Sequence, residues 1–359
     1  MKTAPPVVLA VLAAGFPWSC GAARGGEGRA TKPVVDLAAD TATHREVEPL
    51  AVSFQRLSAI SLDPWGCLLA ADENAKQIKI IDRCGRHVGT LSLEFEPESI
   101  DVAADGTIYC GGQGQLAALD PCGRLLASAA VPDDAAVPIQ KRRRRASRPL
   151  RISGIAVSNR DVFVAFGSGW SLGSRSRLYR FNRDLSHPKL LAEGLRGCCQ
   201  RCDIVARDGV LYLAENSAHR VVLYDREGRV LGKWGERSRS RVDGFGSCCN
   251  PMNLAFDARG VLYTAESGLG RIKRYTVDGQ YLGLVGYVGV ERFTSAGRVA
   301  ASCSNIAIAV TPGGGRVYVM DNKDNIIRVL ERKYRPQRTV TPRRGPLRRI
   351  LSCCRIRCR

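Results

Sequence analysis

Two stretches of this 359-residue chain are close copies of one another, and a copied unit of that size restricts the fold more than any other feature of the sequence. Residues 198–235 run CCQRCDIVARDGVLYLAENSAHRVVLYDREGRVLGKWG, and residues 248–286 run CCNPMNLAFDARGVLYTAESGLGRIKRYTVDGQYLGLVG. A shift of 50 residues lays Cys198 on Cys248, Cys199 on Cys249 and Ile204 on Leu254. After one gap in a loop, Glu215 falls on Glu266 and Tyr224 on Tyr275.

The same grammar recurs from Leu57, Glu98, Ile152 and Cys303, which gives six units in all. A short apolar strand leads each one, centred on Ile60, Ile100, Ile155, Ile204, Leu254 or Ile306. A Gly/Asp turn opens a second strand such as VLYLAE or RVYVMD. A third strand follows, such as RVVLYD or RIKRYT, and then a turn of Asp-x-x-Gly type and a fourth strand. Four short antiparallel strands at this period make one propeller blade, so the expected fold is an all-β, six-bladed β-propeller. The 37 Gly against 9 Phe and 3 Met suit many turns and short strands better than packed helices. Unit six lacks an evident fourth strand, and Glu46–Phe54 is β-prone and otherwise unused. That segment is expected to close the ring there and remove two open sheet edges.

The net charge of +20 looks like a nucleic-acid footprint until it is located. Lys141–Arg145, Arg148 and Arg151 supply seven positive charges, and nine more Arg lie between Arg335 and Arg359. Neither segment contains an acid, so about +4 remains for everything else. Both segments lack aromatics that could stack on bases, which argues against sequence-specific RNA reading. The Lys141–Arg145 loop reads either as a solvated, mobile loop or as a docking site for an anionic surface.

Residues 1–23 carry one Lys, an apolar run from Val7 to Phe16 and then small residues, the pattern of an export signal with cleavage after Ala23. The expected location is periplasmic or extracellular. Lipid anchoring at Cys20 ranks below free export because Pro17, not Leu, stands three residues before it. Residues 24–45 read as a linker, 46–333 as the propeller and 334–359 as a basic tail expected to be disordered. No stretch reaches membrane-spanning length.

The stretch Ala214-Glu215-Asn216-Ser217-Ala218-His219-Arg220-Val221, followed by Leu223-Tyr224-Asp225 and Gly228, resembles the NHL repeat. Weaker versions stand at Glu266–Tyr275 and Asp321–Val329. The resemblance covers roughly residues 47–333 and is poorest in unit three, with its insertion around Trp170–Arg177. It implies a propeller and leaves function open, because NHL proteins include RNA-binding modules, protein-interaction modules and a few lyases. The paired cysteines also resemble those of a subset of bacterial secreted NHL proteins, from which no activity is carried over.

In a propeller the first strand of every blade lines the central channel. The residues leading those strands, Ala59, Ser99, Gly154, Asp203, Asn253 and Asn305, should therefore meet at one mouth. Just ahead of them stand Cys198, Cys199, Cys202, Cys248, Cys249 and Cys303, six thiols from three neighbouring blades. Thiolates suit zinc, copper(I) or an iron–sulfur cluster, and the spacing of Cys198, Cys199 and Cys202 is ligand-like. Against a metal stand cross-blade disulfides, a vicinal disulfide within either pair, and simple packing of a small apolar residue; disulfides or packing are favoured. Asp203, Asn253 and Asn305 could instead hold calcium, as in six-bladed lactonases, but a turn-capping role is favoured and no second acid is visible as a general base.

Glu215, Glu266 and Asp321 recur at the end of the second strand, which signals a structural role, with Arg220 and Arg271 as partners. His87 and His219 read as surface or packing residues, and Cys84 and Cys122 as exposed and unassigned. The expected molecule is a monomeric, non-enzymatic scaffold that binds a protein or small-molecule ligand at the cysteine-rich mouth. The alternative is a metal-dependent enzyme that uses the same mouth.

Overall fold

The computed structural model describes residues 41–132, 150–167, 176–198, 201–238, 240–247, 249–289 and 306–333. Strand β1 (His44–Val47) comes first in the chain and belongs to the last blade. Blade one holds β2 (Leu57–Leu62), β3 (Leu68–Asp72), β4 (Gln77–Ile81) and β5 (His87–Ser92). Blade two holds β6 (Ser99–Val102), β7 (Ile108–Gly112), β8 (Gln115–Leu119) and β9 (Leu125–Ala130). Blade three holds β10 (Arg151–Val157), β11 (Asp161–Gly167), β12 (Ser176–Asn182) and β13 (Lys189–Leu195). Blade four follows with β14 (Ile204–Arg207), β15 (Val210–Glu215), β16 (Arg220–Tyr224) and β17 (Val230–Trp234). Blade five has β18 (Asn253–Phe256), β19 (Leu262–Glu266), β20 (Arg271–Tyr275) and β21 (Tyr281–Tyr287). Blade six has β22 (Ile306–Val310), β23 (Arg316–Asp321) and β24 (Ile326–Arg332).

Each blade is a four-stranded antiparallel sheet, and the first strands neighbour one another around the ring from β2 to β22 and back to β2. The fold is the six-bladed, all-β propeller that the repeats imply. Blade six is completed by β1, which pairs with β24 from His44 opposite Arg332 to Val47 opposite Val329. The closing strand thus comes from the expected end of the chain and lies slightly ahead of the expected segment. Glu46 fastens it further by pairing with Arg328 at 2.9 Å.

The strands do not alternate between apolar and polar residues, because both faces of every blade are covered. Six apolar clusters fill the six seams between blades. Within β7, Ile108 and Cys110 pack toward blade one while Tyr109 packs toward blade three. The Asp-x-x-Gly turns have a common mechanism. Asp225 Oδ1 accepts the backbone N–H groups of Glu227 and Arg229 at 2.9 and 2.8 Å, and Gly228 takes the left-handed φ of 88°. Asp82 and Asp120 repeat the arrangement in blades one and two.

Candidate functional site at the channel mouth

Neighbouring blades splay apart, so their first strands do not form ladders with each other and their backbone groups need other partners. Side chains supply them at every seam. Asp203 Oδ2 accepts the Leu254 N–H at 2.7 Å, joining blade four to blade five. Asn253 Oδ1 accepts the Ile308 N–H at 2.7 Å and joins blade five to blade six. Asp101 Oδ2 accepts the Val157 N–H at 2.9 Å, between blades two and three. Ser58 donates to the Pro97 carbonyl at 2.6 Å and Ser153 to the Cys202 carbonyl at 3.1 Å. Asn325 Oδ1 accepts the Leu57 N–H at 2.7 Å across the closing seam. Asp203 and Asn253 therefore act as stitches between blades, where turn capping was the expected structural role. Asn305 lies outside the described residues.

Sequence reasoning overlooked Asp101. It stands two residues after Ser99 on the same strand and so shares its channel-facing side; the period of two was the available signal. Its charge reaches Asp203 across the bore. Burial is the largest influence on Asp203 and pushes it up to about 8, while the Leu254 and Ile204 N–H groups pull it back and Asp101 adds to the rise. Burial likewise raises Asp101 to about 6, against hydrogen bonds from Val157, Val102 and Ser61. At neutral pH the bore thus holds a proton on Asp203 and a charge on Asp101.

A pH dependence follows. From about pH 4 to about 8 the folded ring keeps a proton on Asp203 that the unfolded chain has released, so this group makes stability fall as pH rises. Asp203→Asn keeps the acceptor for Leu254 and removes the charge. Calorimetry should find it a few degrees more stable than the parent at pH 8 and equal to it at pH 4. Equal differences at both pH values would contradict this account.

A second polar tier rings the mouth at the ends of the second strands. Glu215 accepts the Arg196 N–H at 3.2 Å and pairs with Arg220 at 2.5 Å. Glu266 accepts the Gly246 N–H at 2.9 Å and pairs with Arg271 at 2.8 Å. Asp72 accepts the Arg56 N–H at 2.8 Å and faces Lys79 at 3.1 Å, and Asp321 pairs with Arg328 at 2.7 Å. Glu215, Glu266 and Asp72 each tie the loop entering their blade to the third strand, and Asp321 ties the turn after its own strand to the third strand, which is the structural role their recurrence implies.

Of the six cysteines at the mouth, Cys199, Cys248 and Cys303 lie outside the described residues. Cys198 and Cys249 pack against one apolar cluster, at the seam of blades five and six. Cys202 is enclosed in a different seam, between blades three and four. Burial pushes its thiol up to about 12, so at neutral pH it carries its proton. Among the described residues no group of three His, Cys, Asp or Glu is placed to hold a metal ion. Two other cysteines, Cys67 and Cys122, are disulfide-bonded, which gives Cys122 the assignment it lacked. Cys84 remains exposed. The Lys141–Arg145 loop, the export signal with Cys20 and the basic tail also lie outside the described residues. No helix among the described residues is long and apolar enough to cross a membrane.

No protein family matches the chain, and no curated protein matches it in sequence. Among solved structures it is similar to a gluconolactonase from Xanthomonas campestris, with a TM-score of 0.53 and 14% identity over 82% of this chain and 97% of that one. It is also similar to the calcium-binding protein regucalcin from Agrobacterium tumefaciens, with a TM-score of 0.49 and 13% identity over 79% and 94%. A streptogramin B lyase gives 0.47 and 14% over 81% and 88%. At such identities the likeness shows the propeller alone.

Proposed function

We propose that this chain is an exported, non-enzymatic binding module of the NHL-repeat type, which offers its channel mouth to a protein or small-molecule ligand. The observation that carries this reading is the use made of the polar residues at the mouth. Asp203 and Asn253, the residues a lactonase-like site would draw on, each accept a backbone N–H of the next blade at 2.7 Å. Their geometry is that of a ring under assembly load, as is that of the acids at the second-strand ends. The enclosed Cys202 thiol favours packing over metal ligation. The bonded Cys67 and Cys122 accord with an oxidising compartment and hence with export.

The test is elemental analysis and a thiol count on protein purified without reductant or chelator, together with a lactone-hydrolysis assay. The expected result is no stoichiometric metal and no turnover that depends on Asp101 or Asp203. One equivalent of zinc, copper, iron or calcium, lost in a Cys198→Ser/Cys249→Ser or an Asp203→Asn variant along with hydrolysis, would overturn the reading.

A further inference from the structure

On the face opposite the mouth, at the seam of blades five and six, two cross-strand pairs come together. Tyr263 stands opposite Arg274 on β19 and β20, and His44 opposite Arg332 on β1 and β24. Arg274 and Arg332 both act electrostatically on His44, and both act on Tyr263 together with Arg259 and Asp257. These groups share one small volume.

The charges within it do not balance. Asp257 is the one acid that faces the cluster among the described residues, and it is saturated. It binds Arg259 through Nη2 at 2.7 Å and Nε at 3.1 Å, and it accepts the Arg259 and Val261 N–H groups at 2.9 and 3.0 Å. Among the described residues Arg274 makes no ion pair, and its Nε is buried without a hydrogen-bond partner. Arg332 is exposed and, among the described residues, makes one side-chain hydrogen bond, to the Gly314 carbonyl at 3.1 Å. The Tyr263 hydroxyl, on a fully enclosed side chain, also lacks a partner in hydrogen-bond geometry, although Arg259 approaches it. His44 supplies no counter-charge: its Nε2 donates to the Gly314 carbonyl at 2.9 Å, and burial, then Arg332 and Arg274, favour its neutral form.

The Arg274 Nε and the Tyr263 hydroxyl are buried donors without an acceptor, a costly arrangement unless something fills it, while Arg332 is exposed and the rest of Arg274 half-buried. There is room for it. Gly283 lies across from Arg274 on β21, and a Cβ there would meet only the guanidinium, at 3.6 Å. Gly313 and Gly315 are exposed with nothing near a Cβ, so the cluster opens to solvent on that side, while Gly314 between them closes over the Tyr263 hydroxyl.

We propose that the solvent-open edge of this seam is a binding site for a tetrahedral oxyanion, a phosphate or sulfate group, held between the guanidiniums of Arg274 and Arg332. Paired guanidinium groups present forked donors that match such an anion, which a single lysine cannot do. Arg259 is already committed to Asp257 and sets the floor of the site. This site is independent of the channel mouth and of the function proposed for it.

The test is a thermal-shift and calorimetric titration of the full chain with inorganic phosphate and with sulfate. The probes are the parent, Arg274→Gln, Arg332→Gln and, as a control for the basic surface, Lys233→Gln, which removes an exposed charge of blade four. The parent should gain thermal stability as phosphate is added. Both arginine variants should bind at least tenfold more weakly, while Lys233→Gln binds as the parent does. In phosphate-free buffer Arg332→Gln, which removes an exposed charge, should melt as the parent does, and Arg274→Gln, which removes a half-buried one, at or above it. Folding failure would show instead as a lower melting point in both buffers and would count against this account. Sedimentation with phosphatidylglycerol vesicles, compared with phosphatidylcholine vesicles, distinguishes the source. Binding lost in Arg274→Gln assigns the site to a lipid headgroup, and phosphate binding without vesicle binding assigns it to a dissolved ligand. Parent protein that binds neither phosphate nor vesicles overturns the proposal.

Discussion

Replacing Glu266 with alanine should destabilise the ring by about 3–5 kcal/mol, the range for breaking a buried ion pair from one side. Glu266 is fully enclosed and holds Arg271 at 2.8 Å and Lys273 at 2.5 Å. Lys273 is itself fully enclosed. Without Glu266 it keeps the carbonyls of Gly244 at 2.7 Å and Val242 at 3.1 Å and the ring of Phe245 at 4.5 Å. None of these carries a negative charge. Burial already pulls Lys273 down to about 8 against the pull of Glu266. In the variant it should fall further, so that the folded state sheds a proton the unfolded chain retains. Stability of the variant then begins to rise at a lower pH than that of the parent, so the deficit measured by urea unfolding should narrow as pH rises towards 8 and hold constant above it, where both gain together. Glu266→Ala combined with Lys273→Met should recover much of the loss, because an apolar replacement removes the stranded charge. A deficit that is independent of pH and unrelieved in the double variant would show that packing, and not charge, sets the effect.

Reduction should weaken the ring at another seam. Cys67 sits in the first turn of blade one and Cys122 in the third turn of blade two. A Cβ on Gly106 would meet both the Trp65 ring and Pro121, so these two turns lie side by side. Non-reducing peptide mapping should therefore recover Cys67 joined to Cys122. A bridge that closes a loop of roughly 55 residues is expected to contribute about 2–4 kcal/mol. A reductant should lower the melting temperature accordingly, and Cys67→Ser/Cys122→Ser should melt at that lower temperature with no further response. A reductant effect that persists in the double variant would move the stabilising bridge elsewhere in the chain.

The blades were legible because their strands, turns and closing acids recur at matching positions, and recurrence survives one gap and one insertion. Ring closure was legible for a simpler reason: unit six ran out of sequence while a β-prone segment lay unused near the other end. Features that break the repeat were harder to read. Cys67 and Cys122 occupy non-equivalent turns, so an alignment of blades could not bring them together. Asp101 lies two residues along its strand from the aligned Ser99, and only the two-residue period of a strand places it in the bore with Asp203. The unpaired arginines at the seam of blades five and six were invisible for another reason. Arg274 and Arg332 are ordinary residues in their own strands, and their shared lack of a partner exists only once the ring has brought two blades face to face. At the mouth, Cys198 and Cys249 do share one cluster, but Cys202, two residues ahead of its blade's first strand, is enclosed in another seam.

The closing blade sets a condition on how the chain can be made. Glu46 and Arg328, paired in the finished ring, are separated by 282 residues. During synthesis the N-terminal strand emerges first, and its partner is among the last segments to follow. Until then the outer edge of that strand's future sheet does not exist, and blades one and five each present an apolar flank with no neighbour. A nascent chain in this state is sticky, and long-range pairing of this kind is slow. A truncation that ends before residue 326 should therefore yield an aggregating species and not a five-bladed ring.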